Sequence, residues 1–380
     1  MRGTIMAKVS ITPCAVYEPE EVRRALIAAL SPLGGLSFIK PGMRIGIKMN
    51  LITLKQYQSA ATTHPVVLAE LSRLIREQGA TPVIGDSPGG PFTGAFLRSC
   101  YGPTGLKLAE EAGAELNLNT EVSEAAFPEG KVLKRVTHTA WLDDCDAVIT
   151  CAKLKTHGML GMTGATKNQF GIIPGLMKPE YHSLYPEVQD FCDMLIDLNE
   201  YLKPRLAIID GVICMEGNGP TAGTPREIGC LIASDSVYHA DVAMAHIMGL
   251  SPASMPLIHA AYLRGLAPER VEELEIVGDP EKYRMTDFRN IEIHGVQFGG
   301  RRDSVLQQLV NQVLARHPQV DAKKCVNCGI CARTCPKDAI TIRRKPKFNL
   351  QACIRCFCCQ EMCPKEAISV KTTWVSKLLK

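Results

Sequence analysis

Nowhere in the 380 residues is there an apolar run long enough to cross a bilayer. The N-terminus, MRGTIMAKVSITPC, lacks the long apolar core of a secretory signal, so the expected location is cytoplasmic. An excess of one sign of charge is also lacking, and a formal net charge of +4 is too small to imply nucleic acid. Seven of the sixteen cysteines (Cys14, Cys100, Cys145, Cys151, Cys192, Cys214, Cys230) stand without metal-ligand pairing. Such isolated thiols read as small buried apolar residues in a reducing compartment. Acidic residues are missing altogether from one stretch, KLKTHGMLGMTGATKNQFGIIPG at residues 153–175.

What is present is concentrated at the C-terminal end. Nine cysteines fall within residues 325–363, where CVNCGICARTCP (325–336) is echoed by CIRCFCCQEMCP (353–364). Each segment is C-x2-C-x2-C-x3-C-P, every ligand position recurs 28 residues later, and CPKDAITI is echoed as CPKEAISV. Three cysteines spaced by two residues wrap one tight loop, and the fourth, before Pro, is carried beyond its reach. Zinc ribbons also use paired C-x2-C units, but zinc needs only four sulfurs and gives no reason for a third step or the proline. Disulfides are disfavoured in the cytosol.

This duplicated half-module closely resembles a two-cluster bacterial ferredoxin over residues 321–372. The resemblance implies one [4Fe–4S] cluster on Cys325, Cys328, Cys331 and Cys363, and another on Cys353, Cys356, Cys359 and Cys335. Cys358 is then a ninth thiol that ligates nothing. Residues 321–380 carry 13 Lys+Arg against 4 Asp+Glu, so the module is basic over an acidic body. That contrast suits a solvated basic surface, docking on the body or recognition of an acidic redox partner.

Upstream, strand-like runs alternate with helical patterns. RIGIKMN (44–50), TPVIGDS (81–87), DAVITCAK (146–153), RLAIIDG (205–211) and EIGCLIASD (227–235) read as strands, with AELNL and KVLKRV as extended segments. Helices are expected from Pro65, near 104–112, at 236–248 and at 303–316. The expected fold is an α/β body with a largely parallel sheet, plus a small α+β two-cluster ferredoxin-like domain. The expected boundaries are 1–316 for the body, 317–324 for a linker, 325–372 for the ferredoxin domain and 373–380 for a basic tail. So short a link implies that the clusters lie against the body.

Ligands of such sheets bind beyond the carboxyl ends of the strands. Asn50, Asp86, the 153–175 stretch and EGNGP (216–220) stand at such positions. GMTGATKN is not a phosphate-binding P-loop, because Thr166 precedes Lys167 and Asn168 follows it. A glycine-rich cationic loop can still form a nest of backbone N–H groups for an anion. Thr163, Gly164, Lys167 and Asn168 would line it, with Lys155 and His157 beside them and Asn50 and Glu216 contributing from neighbouring loops. Lys167, His157 and Lys155 are the catalytic candidates; His64 and Asp86 are weaker ones.

These motifs, with IIDGVICMEGNGP and the terminal cysteine module, resemble the bacterial and archaeal family named domain of unknown function 362. That resemblance covers nearly the whole chain and implies an iron–sulfur protein of anaerobic-type metabolism. A fainter similarity is to the lactate racemase family, which tethers a nickel-pincer nucleotide to a lysine. TTHP (62–65) precedes a helix, and His157-x9-Lys167 runs into Pro174-Gly175. Lys167 falls where that family has its cofactor lysine, while His64 stands where it has arginine.

Three functions follow as expectations. The first is an oxidoreductase whose clusters pass electrons to a substrate, cofactor or anionic ligand held by the 153–175 loop. The second is a ferredoxin-like carrier or reductive accessory protein that serves a redox partner. The third is a non-redox, racemase-type enzyme with a Lys167-linked cofactor. No membrane span or nucleic acid partner is expected, and oligomeric state cannot be read from the sequence.

Overall fold

A computed structural model of the chain describes residues 7–291 and 316–371. The helix expected at 303–316 (Arg316 apart) and the basic tail at 373–380 lie outside the described residues. The main sheet takes β1 (Lys8–Pro13), β2 (Arg44–Met49), β3 (Thr81–Gly85) and β4 (Glu115–Leu116). A separate antiparallel pair follows, β5 (Val122–Ala126) and β6 (Arg135–Thr139). The chain then returns to the main sheet with β7 (Ala147–His157), β8 (Gly161–Thr163), β9 (Leu206–Glu216), β10 (Thr224–Ser234) and β11 (Glu275–Val277). In space the order is β11-β1-β10-β9-β7-β2-β3-β4, with β8 folded back on β7.

Strands β2, β3, β4, β7 and β9 run parallel, as do β1 and β11; β10 is antiparallel to both its neighbours. The body is therefore α/β with a mostly parallel sheet. Apolar runs on its central strands suit a sheet covered on both faces. Ile45, Ile47, Met49, Ile149, Cys151 and Ile208 pack against α1 (Pro19–Leu30), α2 (Pro65–Glu77), α3 (Gly94–Tyr101) and α4 (Lys107–Glu111). Val148, Ala152, Leu154, Ala207 and Ile209 belong to the opposite core. That core also takes residues of α5 (Ala165–Asn168), α6 (Met177–Leu184), α7 (Val188–Leu202), α8 (Val237–Ile247) and α9 (Pro256–Leu263).

Local signals explain the helix ends. Pro65 opens α2, His64 Nδ1 accepts from the Val66 N–H, and Gly79 follows with φ +77°. All seven scattered cysteines are buried or half-buried, as expected of apolar residues. In the KVLKRV segment only Arg135 and Val136 are strand, because Asp197 takes the N–H groups of Lys131, Val132 and Leu133.

The C-terminal module comprises β12 (His317–Val320), α10 (Ile330–Arg333), β13 (Ile340–Ile342), β14 (Pro346–Phe348), α11 (Cys358–Glu361) and β15 (Ile368–Lys371). β12 pairs antiparallel with β15 and β13 with β14. The stretch expected as a linker therefore supplies a strand, paired with the far end of the module. The sequence repeat is also a backbone repeat. Asn327 and Arg355 both have φ +57°, Gly329 and Phe357 +76° and +60°, Asp338 and Glu366 +46° and +50°.

Candidate functional site

The 153–175 stretch is not the open loop its glycines suggested. β7 runs on to His157, turns, and returns as β8 with Lys155 opposite Thr163 and His157 opposite Gly161. Alternation along β7 puts Lys153, Lys155 and His157 at positions two apart. One helical turn, α5, follows and is held from both sides. The Asp241 carboxylate accepts the N–H groups of Ala165 (2.6 Å) and Thr166 (3.1 Å). The nest expected for a bound anion is thus filled by the protein's own Asp241, which burial raises to about 6 despite those hydrogen bonds. Gly164 is pressed against that carboxylate, where a Cβ would collide, and takes no part in the cavity.

A cavity of ≈ 90 Å³ lies beyond the carboxyl ends of β2 and β3. Lys155, His157, Thr163, Lys167, Asn168 and Asn50 line it, together with Asp86. Asn168 serves mainly as a tie: its Nδ2 donates to the Lys48 carbonyl (3.0 Å) and Thr150 Oγ1 (2.8 Å), and its Oδ1 accepts from Asn50 Nδ2 (3.1 Å). Glu216 is elsewhere, paired with Arg289 at 2.7 Å. His64 also stands outside the cavity, stacked on Tyr17 with centroids 3.4 Å apart. Burial pushes His64 down to about 4.

The lysines divide into two kinds. Lys48 pairs with Asp86 (2.9 Å) and Lys153 with Asp210 (2.8 Å), all four side chains buried. Lys155 is fully buried, yet among the described residues its Nζ donates only to the Ala61 carbonyl (2.6 Å). Among the described residues no carboxylate lies within ion-pairing distance of Lys155, Lys167 or Lys178. Burial holds the Lys155 ammonium well below its usual range, and repulsion from Lys167 adds to this. Lys167 Nζ sits 5.2 Å from the Phe170 ring centre.

His157 has a defined tautomer. Its Nδ1 accepts from the N–H groups of Met159 (3.0 Å) and Leu160 (3.2 Å), which leaves the proton on Nε2. Burial, then repulsion from Lys167, push it down to about 4, so the ring is neutral at pH 7. Nε2 stands 2.9 Å from Glu361 Oε1 but out of hydrogen-bond alignment. Thr163 Oγ1 is likewise buried without a partner among the described residues.

Among the lining residues that escaped sequence reasoning, five carry ionisable or sulfur-bearing side chains. Lys178 and His182 come from α6; Cys358, Glu361 and Met362 come from α11 and the residue after it. A close approach allows the second group in. A Cβ on Gly158 would lie 2.8 Å from Gln360 Oε1. Gln360 Nε2 donates to Asn218 Oδ1 (2.7 Å) and the Gly219 carbonyl (3.0 Å), and the Val370 N–H to Asn218 Oδ1 (3.3 Å). EGNGP thus docks the module, and only its Pro220 reaches the cavity. Arg316 donates to the Gly158 and Met159 carbonyls, and Lys55 pairs with Glu366.

The cysteines fit the clusters that the ferredoxin resemblance implies. One small cavity in the module is lined by Cys325, Cys328, Cys331 and Cys363; a second by Cys335, Cys353, Cys356 and Cys359. Each has three thiols from one half and one from the other. The Ala339 N–H donates to Cys335 Sγ and the Ala367 N–H to Cys363 Sγ, both at 3.3 Å. Cys358 lines the second of these cavities and the body cavity as well.

The family model described as domain of unknown function (DUF362) matches residues 45–246. The chain belongs to this family. A 4Fe-4S binding domain model matches residues 318–341 of this DUF362 protein, beginning within β12. A thylakoid-associated protein of Synechocystis sp. is 34% identical over 275 residues, which cover 70% of this chain and 83% of that one. Among solved structures, the lactate racemase apoprotein from Thermoanaerobacterium thermosaccharolyticum aligns with a TM-score of 0.41 and 12% identity. That alignment covers 65% of this chain and 57% of the other, so the chain spans under two thirds of its length. A structural-genomics protein from Thermotoga maritima aligns with a TM-score of 0.34 and 13% identity, over 57% of this chain and 55% of that one. Among the described residues of the DUF362 chain, no helix is long and apolar enough to cross a membrane.

Proposed function

We propose that this chain is an iron–sulfur oxidoreductase whose body cavity holds a small anionic molecule beside a module carrying two [4Fe–4S] clusters. When bound, those clusters supply one-electron transfer. The observation that carries the reading is the double position of Cys358, on the wall of the body cavity and on that of the Cys335/Cys353/Cys356/Cys359 cavity. A carrier protein needs no buried cationic cavity against its cluster site.

The ligand class follows from the lining. Three lysines without carboxylate partners favour an anion, and a volume of ≈ 90 Å³ leaves room for about six waters, so the anion is small. A dicarboxylate or a phosphate satisfies both conditions. Lys155, Lys167 and Lys178 would bind its charge. His157 Nε2–H and Thr163 Oγ1 would orient it, and the Met159 and Leu160 N–H groups on Nδ1 would hold the imidazole in that tautomer. The racemase-type reading keeps one observation in its favour, since Lys167 lines the cavity with no carboxylate partner.

Calorimetry on anaerobically purified protein, with inorganic phosphate and oxalate as probes, tests the reading. Wild type is expected to bind at least one of them. Lys155→Met and Lys167→Met should each weaken that binding about 30-fold or more, with iron content unchanged. Failure of both anions to bind wild type would contradict the anion site, and an adduct mass on Lys167 would favour the racemase reading.

A further inference from the structure

The two cysteine cavities of the module face different surroundings. Around Cys335, Cys353, Cys356 and Cys359 the chain turns inward: Cys356, Phe357, Cys358 and Cys359 are all buried, and Cys358 faces the body. The Cys325/Cys328/Cys331/Cys363 cavity faces outward, with Cys328 exposed and the Val326 side chain 59% exposed beside it. The outward side is ringed by cations. Lys323 and Lys324 directly precede Cys325, and both are exposed. Arg333 donates to the Cys328 carbonyl (3.2 Å) and Lys345 to that of Cys325. Arg343 and Arg344 are exposed on the turn between β13 and β14, three and two residues before Pro346, which lines the cavity.

Among the described residues none of these six cations has a carboxylate within ion-pairing distance; the nearest acid in sequence, Asp321, accepts the Lys323 N–H. Six unpaired positive charges around one apolar, exposed patch make a steering field for a negative partner. Their placement is specific, because they surround the outward cysteine set while the other set backs onto the body.

We propose that this face is the docking surface for a small acidic one-electron carrier protein, which meets the chain over Val326 and Cys328. The reduced carrier would give up one electron and the outward cluster would take up one, with no bond made or broken. This goes beyond the proposed function and fails separately from it, since the body cavity is lined by other residues. Charge complementarity selects the occupant: an acidic carrier matches both the cations and the electron entry that they surround. An anionic lipid surface would match only the cations.

The test is equilibrium binding of anaerobic holoprotein to an acidic ferredoxin of known sequence, at salt from about 20 mM to about 300 mM. Binding is expected, weakening at least about tenfold across that range. Arg343→Glu/Arg344→Glu should weaken it about tenfold or more at low salt, while the distant exposed Lys107→Glu leaves it unchanged. Iron content and circular dichroism establish that the variants are folded and loaded. Equal binding by the double variant, or no binding by wild type, overturns the proposal. Capture of wild type by phosphatidylserine vesicles without carrier binding overturns it as well and assigns the patch to lipid.

Discussion

His157, at the end of the central strand β7, and Glu361, on the short helix α11 of the cysteine-rich module, meet with 2.9 Å between Nε2 and Oε1. The contact joins residues 204 apart in sequence, and with it the module becomes one wall of the body's cavity. His157 also terminates the β7–β8 hairpin by accepting two backbone N–H groups. His157→Ala should therefore cost about 1–3 kcal/mol, because buried donors lose their acceptor. Urea denaturation with the clusters intact reads this out, and an unchanged midpoint would contradict the role.

Anion binding should depend on pH with a defined sign. Burial and Lys167 hold Lys155 well below its ordinary range, so the empty site disfavours its ammonium form. A bound anion favours the ammonium, so binding takes up a proton and affinity falls as pH rises. Calorimetry in two buffers of different ionisation enthalpy measures the uptake. In Lys155→Met that uptake should shrink.

The Lys48–Asp86 pair is buried on both sides and holds the floor of the cavity. Gly171 lies over it, and a Cβ there would fall on both side chains. Lys48→Met leaves the Asp86 charge without its partner and should cost about 3–5 kcal/mol. Gly171→Ala should lower the melting temperature by displacing the same pair. Scanning calorimetry of both variants checks this; melting unchanged from wild type would contradict it.

Asp241 gives a second pH dependence. Its folded-state value, about 6, lies above the ordinary 3.8. The folded state therefore binds the proton more tightly, and this stabilisation is fully present below about pH 4 and lost as pH rises through 6. Asp241→Ala removes that titration but strips the N–H groups of Ala165 and Thr166 of their acceptor, at a cost of about 1–3 kcal/mol. Denaturation curves across pH 4–7 should show the Asp241 slope in wild type and lose it in the variant.

Much of this was legible in the residues. The cysteine repeat announced itself through spacing alone, and the apolar strands β2, β3, β7, β9 and β10 were visible as runs. Lys155, His157, Thr163 and Lys167, which line the cavity, stand out in the sequence because cationic and small residues cluster after a strand. The hairpin within 153–175 was hidden, since glycine signals a turn without saying whether strands flank it. Gly164 was misread as a nest because its true neighbour, Asp241, is 77 residues away in sequence. Glu216 resembled a site residue until Arg289 claimed it. Glu361, Met362 and Cys358 were illegible as cavity residues, because only tertiary docking brings the module to β7.

The most direct test of the account is iron and sulfide quantitation with EPR on protein purified without air. About eight irons and about eight sulfides per chain, with reduced spectra of two interacting clusters, are the result it requires. Retention of both clusters in Cys358→Ala would confirm that this thiol is a wall and not a ligand. No more than about four irons after anaerobic reconstitution, or zinc in the cysteine cavities, would contradict it.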